Sequence, residues 1–337
     1  MGSPARRIGL GMLLIPLGLG PVMQTPALAQ APTYITQWGG EGSGSGQFIG
    51  PYGVAVDASG YVFVVDAGNN RIQKFTGGGS FVTQWGGFWQ APLPGNGAGL
   101  FCSPRGVAVD ASGHVYVADT SNGRIQKFTS DGTYLTQWGA VGFGDGEFDW
   151  PQGVAVSASG DVYVADAPNN PRIQKFTSDG AYISKWGTPG SGNGQFSEPL
   201  GVHVDANNNV YVSDWDAMRI QKFTTDGTYL AQWGSYGSGN GQFLGPWGMA
   251  TDAQGNVYVA DAANCRIQVF TRDGAYITQW GTQGSGNGQF VTPTGVAVDG
   301  SGNVYVADRD NNRIQKFGHL PTPTRPSTWG RLKHMYR

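Results

Sequence analysis

A chain of 337 residues with 56 Gly, 12% aromatic residues and two Cys is long enough for a large core, but it has neither the Gly-X-Y period of collagen nor the cysteines of a disulfide framework. The net charge of −2 hides an asymmetry: Arg6, Arg7, Arg325, Arg331, Lys333 and Arg337 lie in end segments without acids, leaving 15 of the 21 basic residues against all 23 acidic ones, a net of −8 for the central body. Such a body repels polyanions, so nucleic acid is excluded as an expected partner.

In chain order, residues 1–29 come first. Arg6 and Arg7 precede an uncharged apolar run from Ile8 to Met23, followed by Ala27-Leu28-Ala29, the pattern of an export signal peptide cut after Ala29. The rest of the chain is then expected to be secreted, periplasmic or attached to the cell surface. Contact with a membrane would come only through an uncleaved signal or the C-terminal tail.

From Tyr34 to Phe317 one unit recurs six times. Its tryptophans, Trp38, Trp85, Trp138, Trp186, Trp233 and Trp280, are 47, 53, 48, 47 and 47 residues apart, a period that belongs to propellers and solenoids. Each unit holds four short runs rich in β-branched and aromatic residues, separated by turn formers such as Asp57-Ala-Ser-Gly60 and Ser130-Asp-Gly132, which predicts four strands. The first two runs carry almost no charge between their ends, as expected of sheets covered on both faces. Alternation places Val107 and Val109 on one face and Ala108 on the other, so large side chains of one sheet can meet small ones of the next.

The last unit lacks its own fourth run: Phe317 is followed by Gly318-His319-Leu320-Pro321, while Tyr34 to Trp38 stands spare before the first unit. The expected fold is all-β, a six-bladed β-propeller of four-stranded antiparallel blades over residues 30–318, closed by the N-terminal strand lying outermost in the final blade. Residues 319–337 read as a Pro/Thr-rich linker and a short basic tail.

Gly-Gln-Phe, Pro-x-Gly-Val-Ala-Val-Asp, Val-Tyr-Val-Ala-Asp and Asn-x-Arg-Ile-Gln-Lys-Phe closely resemble the repeat signature of the NHL repeat family. The resemblance covers Tyr34 to Phe317. It implies a six-bladed propeller in a family of varied function, which includes eukaryotic ubiquitin ligases, a peptide-amidating lyase and bacterial extracellular sensor domains. Fold is therefore implied far more narrowly than activity.

Residues common to all units are expected to be structural. Asp66, Asp119, Asp166, Asp214, Asp261 and Asp308 end the second strands, and Arg71, Arg124, Arg172, Arg219, Arg266 and Arg313 begin the third. Each pair should bridge strands or bond the turn backbone, since one site does not need six copies. The repeated tryptophans and phenylalanines should pack blades.

Function is sought where the units differ, on the face that carries both the long loops between fourth and first strands and the short loops between second and third. The middle residue of Pro-x-Gly is Tyr52, Arg105, Gln152, Leu200, Trp247 and Thr294 in turn, and the residue after each Asp is Ala67, Thr120, Ala167, Trp215, Ala262 and Arg309. From these, Tyr52, Arg105, Gln152, Trp215, Trp247 and Arg309 are candidate ligand-binding residues for a protein, peptide or glycan, because aromatic and Arg side chains make good anchors. His203, standing where the other units have Ala, is a candidate channel residue.

No catalytic residue is assigned. There is no Gly-x-Ser-x-Gly motif, and the Pro-x-Gly positions offer none of the histidines with which the amidating lyases hold zinc, so no metal or cofactor is expected; a cation in the channel stays open. A binding or scaffold module is the expected function, with an extracytoplasmic hydrolase or lyase at the channel mouth as the competing reading. The longer second unit carries Phe88, Trp89, Pro92, Leu93 and Pro94, which would form a lip over the channel or a contact patch. Cys102 and Cys265 fall in opposite blades, too far apart to pair, so both thiols should be free.

Overall fold

The computed structural model describes residues 2, 31–87 and 97–318; the run expected to be an export signal, the Phe88 to Pro94 insertion and the tail from His319 lie outside the described residues. Within those limits the strands form six sheets of four. Numbered in chain order by their innermost strands, blades I to VI begin at Pro51, Val107, Pro151, Pro199, Pro246 and Pro293, and blade I shows why each unit folds as it does. Its strands are Pro51–Val56, Val62–Asp66, Arg71–Phe75 and Phe81–Gly86. The first turn is fixed by Asp57, whose Oδ1 accepts the N–H groups of Ser59 and Tyr61 at 2.9 Å, a side-chain capped turn that needs no longer loop.

The uncharged second strands are buried on both faces, with Val62, Phe63, Val64 and Val65 all 0% exposed. The large and small faces interlock between neighbours. Val107 and Val109 join a cluster with Phe63 and Val65 of blade I, whereas Ala108 packs with Val154 and Val164 of blade III. Close-packed contacts of this kind hold adjacent blades face to face.

The N-terminal strand Thr33–Gly39 pairs antiparallel with Arg313–Gly318, from Thr33 opposite Gly318 to Gly39 opposite Arg313. It is the outermost strand of the final blade, so the ring closes as the spare run in the sequence requires. Cys102 and Cys265 are both free thiols.

All six repeated aspartates are 0% exposed, and each receives the Nε of its arginine at 2.7 to 3.2 Å. In blade V, Asp261 Oδ1 accepts the Leu244 N–H at 2.8 Å, while Oδ2 accepts Arg266 Nε at 2.7 Å, Asn264 Nδ2 at 2.9 Å and Gln268 Nε2 at 3.1 Å. The rest of the Arg266 guanidinium donates to the Ser238, Gly239 and Gln242 carbonyls and to Gln279 Oε1. The pair thus staples the long incoming loop to the sheet, a structural role. Blade III departs from this pattern: Asn169 bonds Asp149 instead, and burial pushes the Asp166 carboxyl up to about 6 against the pull of Arg172 and two backbone N–H groups.

Candidate functional site

The innermost strands place the variable side chains at the axis through a local irregularity. In blade I, Pro51 lies opposite Asp66 and Val54 opposite Val64, so Tyr52 and Gly53 together face the single residue Val65. This is a β-bulge, which bends the strand and re-aims a side chain. The glycine beside it permits the blades to meet. A Cβ on Gly53 would stand 2.5 Å from the Arg105 carbonyl oxygen, and one on Gly295 would stand 2.5 Å from that of Tyr52; only Gly tolerates such an approach.

The structure brings the predicted residues together. Tyr52 and Trp247 meet edge to face across the small Thr294 of the intervening blade, with ring centroids 5.0 Å apart, and Trp215 meets Trp247 in the same way at 4.8 Å. T-shaped contacts of this kind are favourable arrangements of aromatic quadrupoles. The guanidinium carbon of Arg105 lies 5.2 Å from the Tyr52 ring centroid and that of Arg309 lies 4.9 Å from it, within cation–π range. Arg105 Nη1 donates to Gln152 Oε1 at 2.8 Å. All six candidates therefore belong to one connected cluster at the mouth of the axis.

Below the mouth is a cavity of about 210 Å3, walled by the six innermost strands, with Tyr52, Arg105, Gln152 and Trp247 among its lining residues. His203 also lines it and shares a 2.9 Å hydrogen bond with Thr251 Oγ1. Burial pushes the imidazole down to about 4, against a weaker opposite pull from Asp205, so it is neutral near pH 7. Unfolding at pH below 6.5 lets the imidazole take up a proton that the folded state refuses. The stability it contributes is therefore lost as pH falls from 6.5 to 4, by about 3 kcal/mol. His203→Ala should remove that part of the acid dependence, which urea titrations of both proteins between pH 7 and 4 will show.

Several members of the cluster were not evident in the sequence. Trp150, 43% exposed, lies with its ring centroid 5.7 Å from the Arg105 guanidinium. Ser213 Oγ donates to the Trp247 carbonyl at 2.6 Å, and Thr294 Oγ1 donates to that of Tyr52 at 2.9 Å, which anchors the backbone behind both rings. A Cβ on Gly245 would stand 2.5 Å from the Trp215 ring, and one on Gly50 would stand 4.0 Å from the Arg309 side chain. The residue before proline is Gly in two units, at Gly50 and Gly245, where Arg309 and Trp215 reach across from the preceding blade. That pairing of a large residue with a glycine was the signal available.

Half-buried Glu198 stands at the edge of the cluster. Burial and the charges of Asp216 and Asp214 hold its carboxyl above the usual range, while Arg105 pulls it down. No group of three or more His, Cys, Asp and Glu among the described residues is placed to hold a metal.

A family model described as NHL repeat matches residues 48–75, 101–128, 148–176, 196–223, 243–270 and 290–317. A probable peptidyl-alpha-hydroxyglycine alpha-amidating lyase from Caenorhabditis elegans is 34% identical over 95 residues, 28% of this chain and 27% of that protein. The chain thus spans about a quarter of the length of that relative. Among solved structures, a protein of unknown function from Bacteroides thetaiotaomicron has a TM-score of 0.63 at 19% identity, covering 84% of this chain and 76% of its own. A gluconolactonase from Xanthomonas campestris has a TM-score of 0.58 at 15% identity, covering 80% and 87%. At these identities the likeness is one of fold.

Proposed function

Because the chain belongs to the NHL repeat family, whose propeller serves unlike functions, we propose from the site itself that it is an exported binding module that takes a protein, peptide or glycan at the axial mouth. The observation that carries this reading is the convergence of Trp215, Trp247, Tyr52, Arg105 and Arg309, which come from five blades, into one contact chain. At the positions equivalent to Trp215 and Arg309 other units have Ala67, Ala167 and Ala262, and at those equivalent to Tyr52, Arg105 and Trp247 they have Gln152, Leu200 and Thr294. Aromatic and Arg side chains around a concave centre are the usual anchors of an interface.

The test is a panel of oligosaccharides and short peptides titrated against the native protein and Trp247→Ala, read by tryptophan fluorescence and calorimetry. Native binding weakened at least about tenfold by the substitution is the expected result. Binding indifferent to Trp247 would remove the mouth from consideration.

One group favours a second reading, an extracytoplasmic lyase or hydrolase. Glu198, with its carboxyl held above the usual range beside Arg105, has the environment of a general acid or base. The similarity to an amidating lyase over 95 residues is compatible with it. Turnover of a lactone or peptide substrate that is abolished in Glu198→Gln would favour the enzyme over the module.

A further inference from the structure

Four rings gathered at a mouth are the ordinary setting for a cationic ligand. Here two of the four rings are already engaged by the protein's own cations, since both Arg105 and Arg309 stand over Tyr52 and Arg105 also stands over Trp150. A ligand cation would meet two guanidiniums at close range. Repulsion of this kind in a partly desolvated site outweighs the gain from a ring face, so the cluster selects against positive charge.

Arg105 has the opposite need. Among the described residues no carboxylate lies within ion-pair distance of it, and one hydrogen bond, to Gln152, occupies one of its five donors. It is also the one charged side chain lining the cavity: the other ionisable groups there are Tyr52 and the neutral His203. Beneath it the wall is mixed, built from Val54, Val107, Val154, Val202, Met249 and Val296 together with Thr251, Thr294 and backbone groups. At about 210 Å3 the cavity is below the roughly 300 Å3 at which drug-sized ligands begin to fit. It holds a small group and nothing bulkier.

We infer that the axial site takes a carboxylate carried on a short apolar stem, the stem entering the valine-lined cavity and the carboxylate pairing with Arg105. Arg309, which also stands over the Tyr52 ring, is paired with Asp310 at 3.7 Å, so among the described residues Arg105 is the cation of the cluster left without a carboxylate partner. A planar guanidinium offers a carboxylate two parallel N–H donors, which fixes its orientation as well as its charge. Two sources share this chemistry, a free aliphatic monocarboxylate and the C-terminus of a peptide ending in an apolar residue. The inference rests on the reading of the mouth as a binding site.

The experiment titrates the full chain with hexanoate, hexanamide and hexylammonium, and with a pentapeptide ending in Leu as the free acid and as the C-terminal amide. Hexanoate should bind, hexylammonium should not, and hexanamide should bind at least about tenfold more weakly than hexanoate, as expected for loss of one charge-assisted pair. Arg105→Gln should weaken hexanoate about tenfold and leave hexanamide within about twofold, whereas Arg105→Lys should recover part of the loss. Tighter binding of the free-acid peptide than of hexanoate assigns the peptide terminus as the source, and the reverse order assigns the free carboxylate. Equal binding of hexanoate and hexanamide, or no binding of either acid, overturns the inference. If the acids fail while a neutral glycan or peptide still binds in a Trp247-dependent way, the mouth remains a binding site and only the carboxylate is lost.

Discussion

Asp261→Ala is expected to cost about 3–5 kcal/mol of folding stability, the range for breaking a buried ion pair on one side. The carboxylate is 0% exposed and gathers four donors, from Leu244, Asn264, Arg266 and Gln268. Removing it leaves the Arg266 guanidinium buried beside an apolar methyl and frees the loop N–H of Leu244. Most of the cost is this uncompensated charge, not the attraction of the pair. A double substitution, Asp261→Ala with Arg266→Met, should therefore be less damaging than Asp261→Ala alone. Urea unfolding of the three proteins decides it, and a loss below about 1 kcal/mol for the single variant would mean that the staple carries no weight. The surface pair of Lys185 and Asp145, half-exposed on both sides, is the control, and Asp145→Ala should leave the unfolding midpoint unchanged.

What could be read from the sequence divides along the same line as what repeats. Each Asp–Arg pair, each Trp and each turn recurs in every blade, so the pattern states its own architecture, and one spare strand at Tyr34 states how the ring closes. The candidate residues were found by the opposite criterion, as departures from the repeat. Tyr52, Arg105, Trp215, Trp247 and Arg309 were legible because a large side chain stood where other units have different or smaller ones. Trp150 is not evident because it lies beside proline, a position outside the repeated motif that reads Gly50, Ser103, Trp150, Glu198, Gly245 and Thr292. Its relevance comes from the reach of Arg105 across a blade boundary. The contact of Tyr52 with Trp247 was also hidden, because it skips a blade and depends on Thr294 being small enough to let the rings meet. Such contacts are set by the bulge geometry and the distance across the axis, neither of which a linear pattern carries.

Closure makes the second large prediction. A chain shortened to begin at Gly40 loses the whole ladder from Thr33 to Gly39, together with the Gln37 acceptor of Arg313 Nη1 at 2.8 Å. It also loses Trp38, whose ring lies 5.8 Å from Phe75 of blade I and 6.3 Å from Tyr305 of blade VI. That partly buried indole sits in the seam between the first and last blades, so its removal exposes apolar surface on both, at a cost below the roughly 3–5 kcal/mol of deleting a fully buried aromatic side chain. The strand Arg313–Gly318 is left with an unpaired edge, which recruits another chain when nothing covers it. The shortened protein is expected to associate on size exclusion and to melt at lower temperature than the full chain. A peptide of residues 31–40 added in trans should restore the monomer and the melting temperature, and the same peptide with Trp38→Ala should not. If the shortened chain stays monomeric with unchanged melting, the N-terminal strand merely decorates a ring that is already stable without it, and the seam between blades VI and I must be held by the buried side chains that remain there, among them Phe48, Val54, Phe75, Tyr305 and Ile314.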